Sequence, residues 1–219
     1  MANKTANPDS ESLLQDRDYT IIFARTAPIA KAPPPGFERR WLDAQASIIN
    51  LLKYCETFDP DGITLYVACH DAEQDCAFKW YEHVTSDSLD TLIAENLPPK
   101  QINLHEVLRS ALDDYFARKD QGRTKGNGEI LLVLLDGEPA DRMAIARVIV
   151  EATHKIDRNE ELGIGLVQIG DDPIARGFFA ALDDNLQAAG AKFDIVDTCI
   201  LDRIPPDSLT EFLLNTLFD

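Results

Sequence analysis

Two rhythms of apolar and polar positions run through this chain: short unbroken apolar runs, and apolar residues spaced three or four apart. The sharpest run is Ile130-Leu131-Leu132-Val133-Leu134-Leu135, which stops at Asp136-Gly137. An apolar run bounded by turn residues predicts a strand buried on both faces, as in a parallel sheet covered by helices. That strand delivers Asp136 to its carboxyl end, where open α/β sheets place their ligands. Pro139 follows and is predicted to open a helix at its first turn.

The same reading extends along the chain. Residues 1–16 are polar apart from Leu13-Leu14 and read as a flexible tail. Strands are predicted at Asp18–Ala24, Ile63–Cys69, Leu162–Gly170 and Phe193–Thr198. Ala77–Val84 alternates only in part and follows the second strand closely, so it is predicted to pair antiparallel with it as an edge. Helical spacing covers 38–56, 86–97, 104–116 with Asn103 as cap, 140–156, 173–190 and 209–217. Between the first strand and the first helix, loop 25–36 carries four prolines and a glycine within nine positions, which forbids helix and strand alike. Strands alternating with helices give a doubly wound α/β sheet in one domain, 17–219.

Several strings, in order, resemble a von Willebrand factor type A (vWA) domain of the intracellular type. They are Asp18 to Ala24, Arg40-Trp41, Leu131 to Pro139, Gly163 to Asp172, Phe179 to Asp184 and Gly190 to Asp197, within a resemblance spanning residues 17–218. The resemblance implies a mostly parallel six-stranded sheet in the order 3-2-1-4-5-6, strand 3 antiparallel, with helices on both faces. It also implies protein binding through a metal-ion-dependent adhesion site at the carboxyl ends of the strands. That site uses an Asp-x-Ser-x-Ser loop, a Thr from a second loop and an Asp from a third. Here Ala24, Thr26 and Pro28 fall on the Asp, Ser and Ser positions, and Ile102 or Asn103 on the Thr position. Only Asp136 keeps its type, with Thr26 as a second oxygen. Magnesium wants near-octahedral oxygen ligation and firm partners. The site therefore reads as degenerate: no cofactor and no metal are expected, with Thr26 and Asp136 the residual candidate ligands.

Composition narrows the partners. The formal net charge of -17 argues against nucleic acid and anionic lipid, which require basic surfaces. The start lacks the apolar stretch of a secretory signal, and no run approaches a membrane span, so a cytoplasmic protein is expected. The four cysteines form no CxxC pair, which agrees. Cys69-His70-Asp71 with Cys76 suggests zinc or simply a tight turn, and a Cys69–Cys76 cross-strand disulfide stays open. Gly163-x-Gly165 with Gly170 mimics a dinucleotide fingerprint, but the first two glycines fall within a strand. Glu138, Asp141, Asp171 and Asp172 suit helix capping and dipole compensation. No P-loop, G-x-S-x-G or H-E-x-x-H motif is present, and His83, His105 and His154 are scattered.

The expected function is a non-enzymatic module that binds another protein through loops 25–36, 98–103 and 136–141. The candidate partner-binding residues are Arg25, Thr26, Ile29, Asn103, Asp136 and Glu138. Two alternatives remain: an adhesion-type module with weak Mg²⁺ or Ca²⁺ binding at Asp136, and a hydrolase or transferase of doubly wound fold. The oligomeric state stays open.

Overall fold

The computed structural model describes residues 11–27, 39–71, 73, 76–205 and 208–218. Its six-stranded sheet comprises β1 Asp18–Ala24, β2 Ile63–Cys69, β3 Ala77–Val84, β4 Glu129–Leu135, β5 Leu162–Gln168 and β6 Val196–Ile200. The order across the sheet is β3-β2-β1-β4-β5-β6. Only β3 is antiparallel; every other neighbour pair is parallel. This is the doubly wound, Rossmann-like architecture expected, with the antiparallel hairpin at its edge.

Six α-helices cover it among the described residues: α1 Arg40–Glu56, α2 Leu89–Glu95, α3 Leu104–Asp120, α4 Arg142–Thr153, α5 Pro173–Asn185 and α6 Leu209–Phe218. The two cores follow from the alternation of side chains along a strand. Leu131, Val133 and Leu135 of β4 face α3, α4 and α5. Ile130, Leu132 and Leu134 face α1, α2 and α6. All seven residues of β4 are buried, which is why its apolar run has no polar break. No helix among the described residues is long and apolar enough to cross a membrane.

The strand glycines have a packing reason. A Cβ on Gly163 would lie 2.5 Å from the Thr216 carbonyl oxygen, and one on Gly165 would lie 2.8 Å from Leu132 Cδ2. The missing side chains let α6 lie close against β5; they make no phosphate turn.

Several boundaries differ from the sequence reading. α4 starts at Arg142 with Asp141 as its cap, so Pro139 lies ahead of the helix and does not open it. The stretch 86–97 is a 3₁₀ turn, Ser86–Ser88, followed by a helix of only seven residues. α5 ends at Asn185, and backbone bonds such as Gly190 N to Gln187 O form the turns that follow. β6 begins at Val196, later than Phe193, because it is a half-buried edge whose polar residues blur the apolar signal. Asn103 holds the cap position of α3, but its side chain makes no capping bond. Within the expected tail, Leu14 is buried and its carbonyl accepts the Tyr19 hydroxyl at 2.9 Å. The tail's first ten residues, residues 28–36 of the proline loop and residues 37–38, at the expected start of the first helix, lie outside the described residues.

The amino end of the sheet is held by charge. Arg118 reaches Glu129 (2.5 Å), Asp18 (2.7 Å) and Asp114 (2.8 Å). Lys125 binds Asp59, Asp61 (2.6 Å) and Asp18 (3.4 Å). Lys119 joins Glu161 to Asp157. Arg17 is fully buried and donates to the carbonyls of Leu13, Glu129 and Glu160. Burial pulls its pKa down to about 10.

Candidate functional site

Asp136 is the first residue past β4. The β1–β4 ladder ends on the pair Ala24 and Leu135, so the loop leaving β1 runs beside it. Thr26 from that loop donates to the carboxylate twice, from its backbone N–H to Oδ2 at 3.1 Å and from its hydroxyl to Oδ1 at 2.9 Å. The first turn of α1 returns over the same point. Arg40 donates to Oδ2 through Nε (3.0 Å) and Nη2 (2.5 Å), and Trp41 through Nε1 (2.5 Å). Arg40 Nη2 also reaches the Thr26 hydroxyl at 3.0 Å. The Trp41 ring packs on Phe23, 4.5 Å between centroids, so one side chain fills the core and donates at the rim. Beside them, a Cβ on Gly170 would sit 3.6 Å from Arg40 Cδ, so the arginine stem rests against the turn after β5.

The Asp136 side chain is fully buried and that of Arg40 is 14% exposed. Five donors converge on two oxygens that offer about four lone-pair directions. Four of the donors fall on Oδ2 and one on Oδ1, and the charge is balanced by a guanidinium that cannot shed its proton.

The other predicted residues separate. Of the expected set, the structure joins Thr26 and Asp136. Glu138 pairs with Arg142 at 2.5 Å on the surface, one turn along the chain. Asn103 stands at the start of α3, where its carbonyl accepts the Glu106 N–H. Arg25 lines a cavity of about 340 Å³ with Phe23, Trp41, Leu42, Leu89 and Ile93. Ile29 lies outside the described residues. Capping holds for Asp141, which accepts from Ala144 N, and for Asp172, which accepts from Ile174 and Ala175 N. Asp171 instead pairs with Arg176 and Arg203.

All four cysteines are free thiols, and Cys69 and Cys76 are both buried. Among the described residues no group of three or more His, Cys, Asp or Glu side chains is placed to hold a metal. Sequence reasoning missed Arg40 and the polar role of Trp41. An arginine beside a tryptophan at the start of a helix that follows a rim loop is the signal that could have found them.

Apolar side chains are exposed at the same rim. Among the described residues six large apolar side chains are exposed, and four of them belong to the carboxyl rim. Leu42, Met143 and Ile174 lie in the first turns of α1, α4 and α5. Leu97 belongs to the loop that ties the rim together, with His70 N donating to Leu97 O and Ala27 N to Pro99 O, both at 2.7 Å.

No family model matches the chain, and no curated protein matches it. Solved structures do resemble it. Proximal thread matrix protein 1 from the mussel byssus superposes with a TM-score of 0.50 at 13% identity, over 93% of this chain and 47% of that one. A second crystal form of the same protein gives 0.49 at 13% identity, with the same coverage. A mutant of the PilB minor pilin from Streptococcus sanguinis gives 0.43 at 10% identity, over 91% of this chain and 60% of that one. The chain spans about half the length of the mussel protein it matches. At such identities the likeness speaks to the fold alone.

Proposed function

We infer that this chain is a non-enzymatic interaction module of vWA type, which docks another protein on the carboxyl rim without a metal at Asp136. The observation that carries this reading is the exposure of Leu42, Leu97, Met143 and Ile174, all on segments at the carboxyl ends of the strands. Exposed apolar side chains that cluster, more than single ones, mark interaction surfaces. They share the rim with a carboxylate already held by Thr26, Arg40 and Trp41, which leaves recognition to shape and apolar contact. The vWA assignment is supported by the strand order, the antiparallel β3 and the place of Asp136 after β4. A cytoplasmic setting belongs to the same proposal.

The test is capture of partners from the native cell with the full chain as bait, with and without chelator. Capture is expected to survive chelator and to be lost in a Leu42→Asp, Met143→Asp double variant. Loss of the same partners on chelation would point instead to the metal-dependent alternative.

A further inference from the structure

A second surface lies away from the rim. β3 ends the sheet, and β2 is its only ladder partner among the described residues. Pairing is regular from Ala77 to Tyr81; beyond that the ladder shifts register, and His83 adopts a φ of 54°. An open edge strand carries unpaired backbone donors and acceptors that another extended segment can use. On its α3 side, this edge walls a groove of about 450 Å³. Tyr66, Phe78 and Trp80 line it from the sheet, and Glu106, Ser110 and Asp114 from α3.

Those three helix residues are four apart, so they form one stripe along α3. Glu106 and Ser110 are exposed, and Asp114 keeps one oxygen on Arg118 Nε at 2.8 Å. Trp80 is 51% exposed, with half its surface available in the middle of the paired stretch. Lys79 alternates to the other face and does not guard the groove.

An aromatic wall opposite an acidic one matches a long basic side chain, whose stem is apolar and whose head is cationic. The cation would lie between the Trp80 ring and the Glu106 carboxylate. We propose that this groove takes an extended basic segment of a partner protein, added to β3 as a further strand, with an arginine or lysine seated between Trp80 and Glu106. The net charge of -17 adds long-range attraction for such a segment. It also opposes a second copy of this acidic chain on the same edge. The proposal is independent of the rim.

The probe is a library of short random peptides displayed on phage and selected against the full chain at moderate salt. Recovered sequences should place Arg or Lys among Val, Ile or Thr. A synthetic peptide of the recovered sequence, followed by fluorescence anisotropy, should bind about tenfold more weakly to Trp80→Ala and to Glu106→Lys. It should bind equally to the rim variant Leu42→Asp. Trp80 and Glu106 are both exposed, so these variants should keep the wild-type circular dichroism. The proposal fails if selection returns no basic residue, or if neither variant weakens binding. It also fails if sedimentation shows a dimer of this chain that Trp80→Ala abolishes.

Discussion

The two ends of this sheet handle charge in opposite ways. At the amino end, Asp18, Asp59, Asp61, Asp114, Glu129, Asp157 and Glu161 share three cations, Arg118, Lys119 and Lys125. Each of those cations touches more than one acid. At the carboxyl rim one acid, Asp136, takes all its donors from two adjacent segments, and one cation, Arg40, balances it. A shared network tolerates the loss of a member, because the remaining groups can repartner or take up a proton. A closed pair does not, so the Asp136 site depends on each of its members where the amino end is redundant.

The largest expected effect breaks the rim. Asp136→Ala leaves the Arg40 guanidinium without its carboxylate, and arginine cannot escape by deprotonating. Breaking a buried pair from one side should cost about 3 kcal/mol in urea denaturation, at pH 5 and pH 8 alike. The matching change at the amino end is Arg118→Met, which strips Glu129 of its cation. Glu129 can respond by taking up a proton, so this variant's penalty should be about 1–2 kcal/mol smaller at pH 5 than at pH 8. Equal pH dependence in the two variants would erase the proposed difference between the ends.

A smaller effect belongs to the wild-type amino end. Burial pushes the Glu129 carboxyl up from 4.5 to about 6, with Arg118 pulling the other way. Folded Glu129 therefore holds its proton more tightly than the unfolded chain does. The stability this contributes is complete below pH 4.5 and is lost as pH rises through about 6. Burial moves Asp59 in the same direction, also to about 6. Glu129→Gln should remove up to about 2 kcal/mol of that decline between pH 4.5 and 6.5, since one pKa unit corresponds to 1.36 kcal/mol. An unchanged pH profile in this variant would show that Glu129 does not titrate in that window.

The same contrast explains what the sequence makes legible. β4 is plain because burial on both faces demands an unbroken apolar run. β3 is plain as an edge because its alternation is partial and its connection to β2 short. β6 is misplaced because Asp197, Thr198 and Cys199 give a half-buried edge no clean period. Asp136 is found because a strand end positions it, and Thr26 only through the resemblance of the first strand and its loop to the vWA pattern. Arg40 and Trp41 are hidden because they sit 96 and 95 residues from Asp136 in sequence. A tryptophan at helical spacing also reads as core, which its ring is. The amino-end network is hidden for a similar reason. Asp59-Pro60-Asp61-Gly62 reads as a turn, and nothing local says that Asp59 accepts the Tyr19 N–H and binds Lys125.

The smallest expected effect is an absence of heat. Calorimetric titration of the full chain with Mg²⁺ and with Mn²⁺ should give no saturable binding at the rim. To reach Asp136, an ion would have to displace Arg40 from Oδ2 or the Thr26 hydroxyl from Oδ1, and then find further oxygens. Ala24 offers no side-chain ligand, and Ile102 at the second loop is apolar and buried. Magnesium gives up its water reluctantly and needs several fixed oxygens in return. Diffuse condensation on an acidic chain gives a salt-sensitive background, so the titration belongs in moderate salt, where the screening length is about 8–10 Å. Asp136→Ala is the control for the site, and Arg40→Ala sharpens it by uncovering the carboxylate. If Arg40 is what keeps ions out, Arg40→Ala should bind Mn²⁺ more tightly than the wild type, though still weakly. A saturable wild-type site that vanishes in Asp136→Ala would mean that the guanidinium yields to a metal, and the rim would then be a switchable ion site instead of a closed pair.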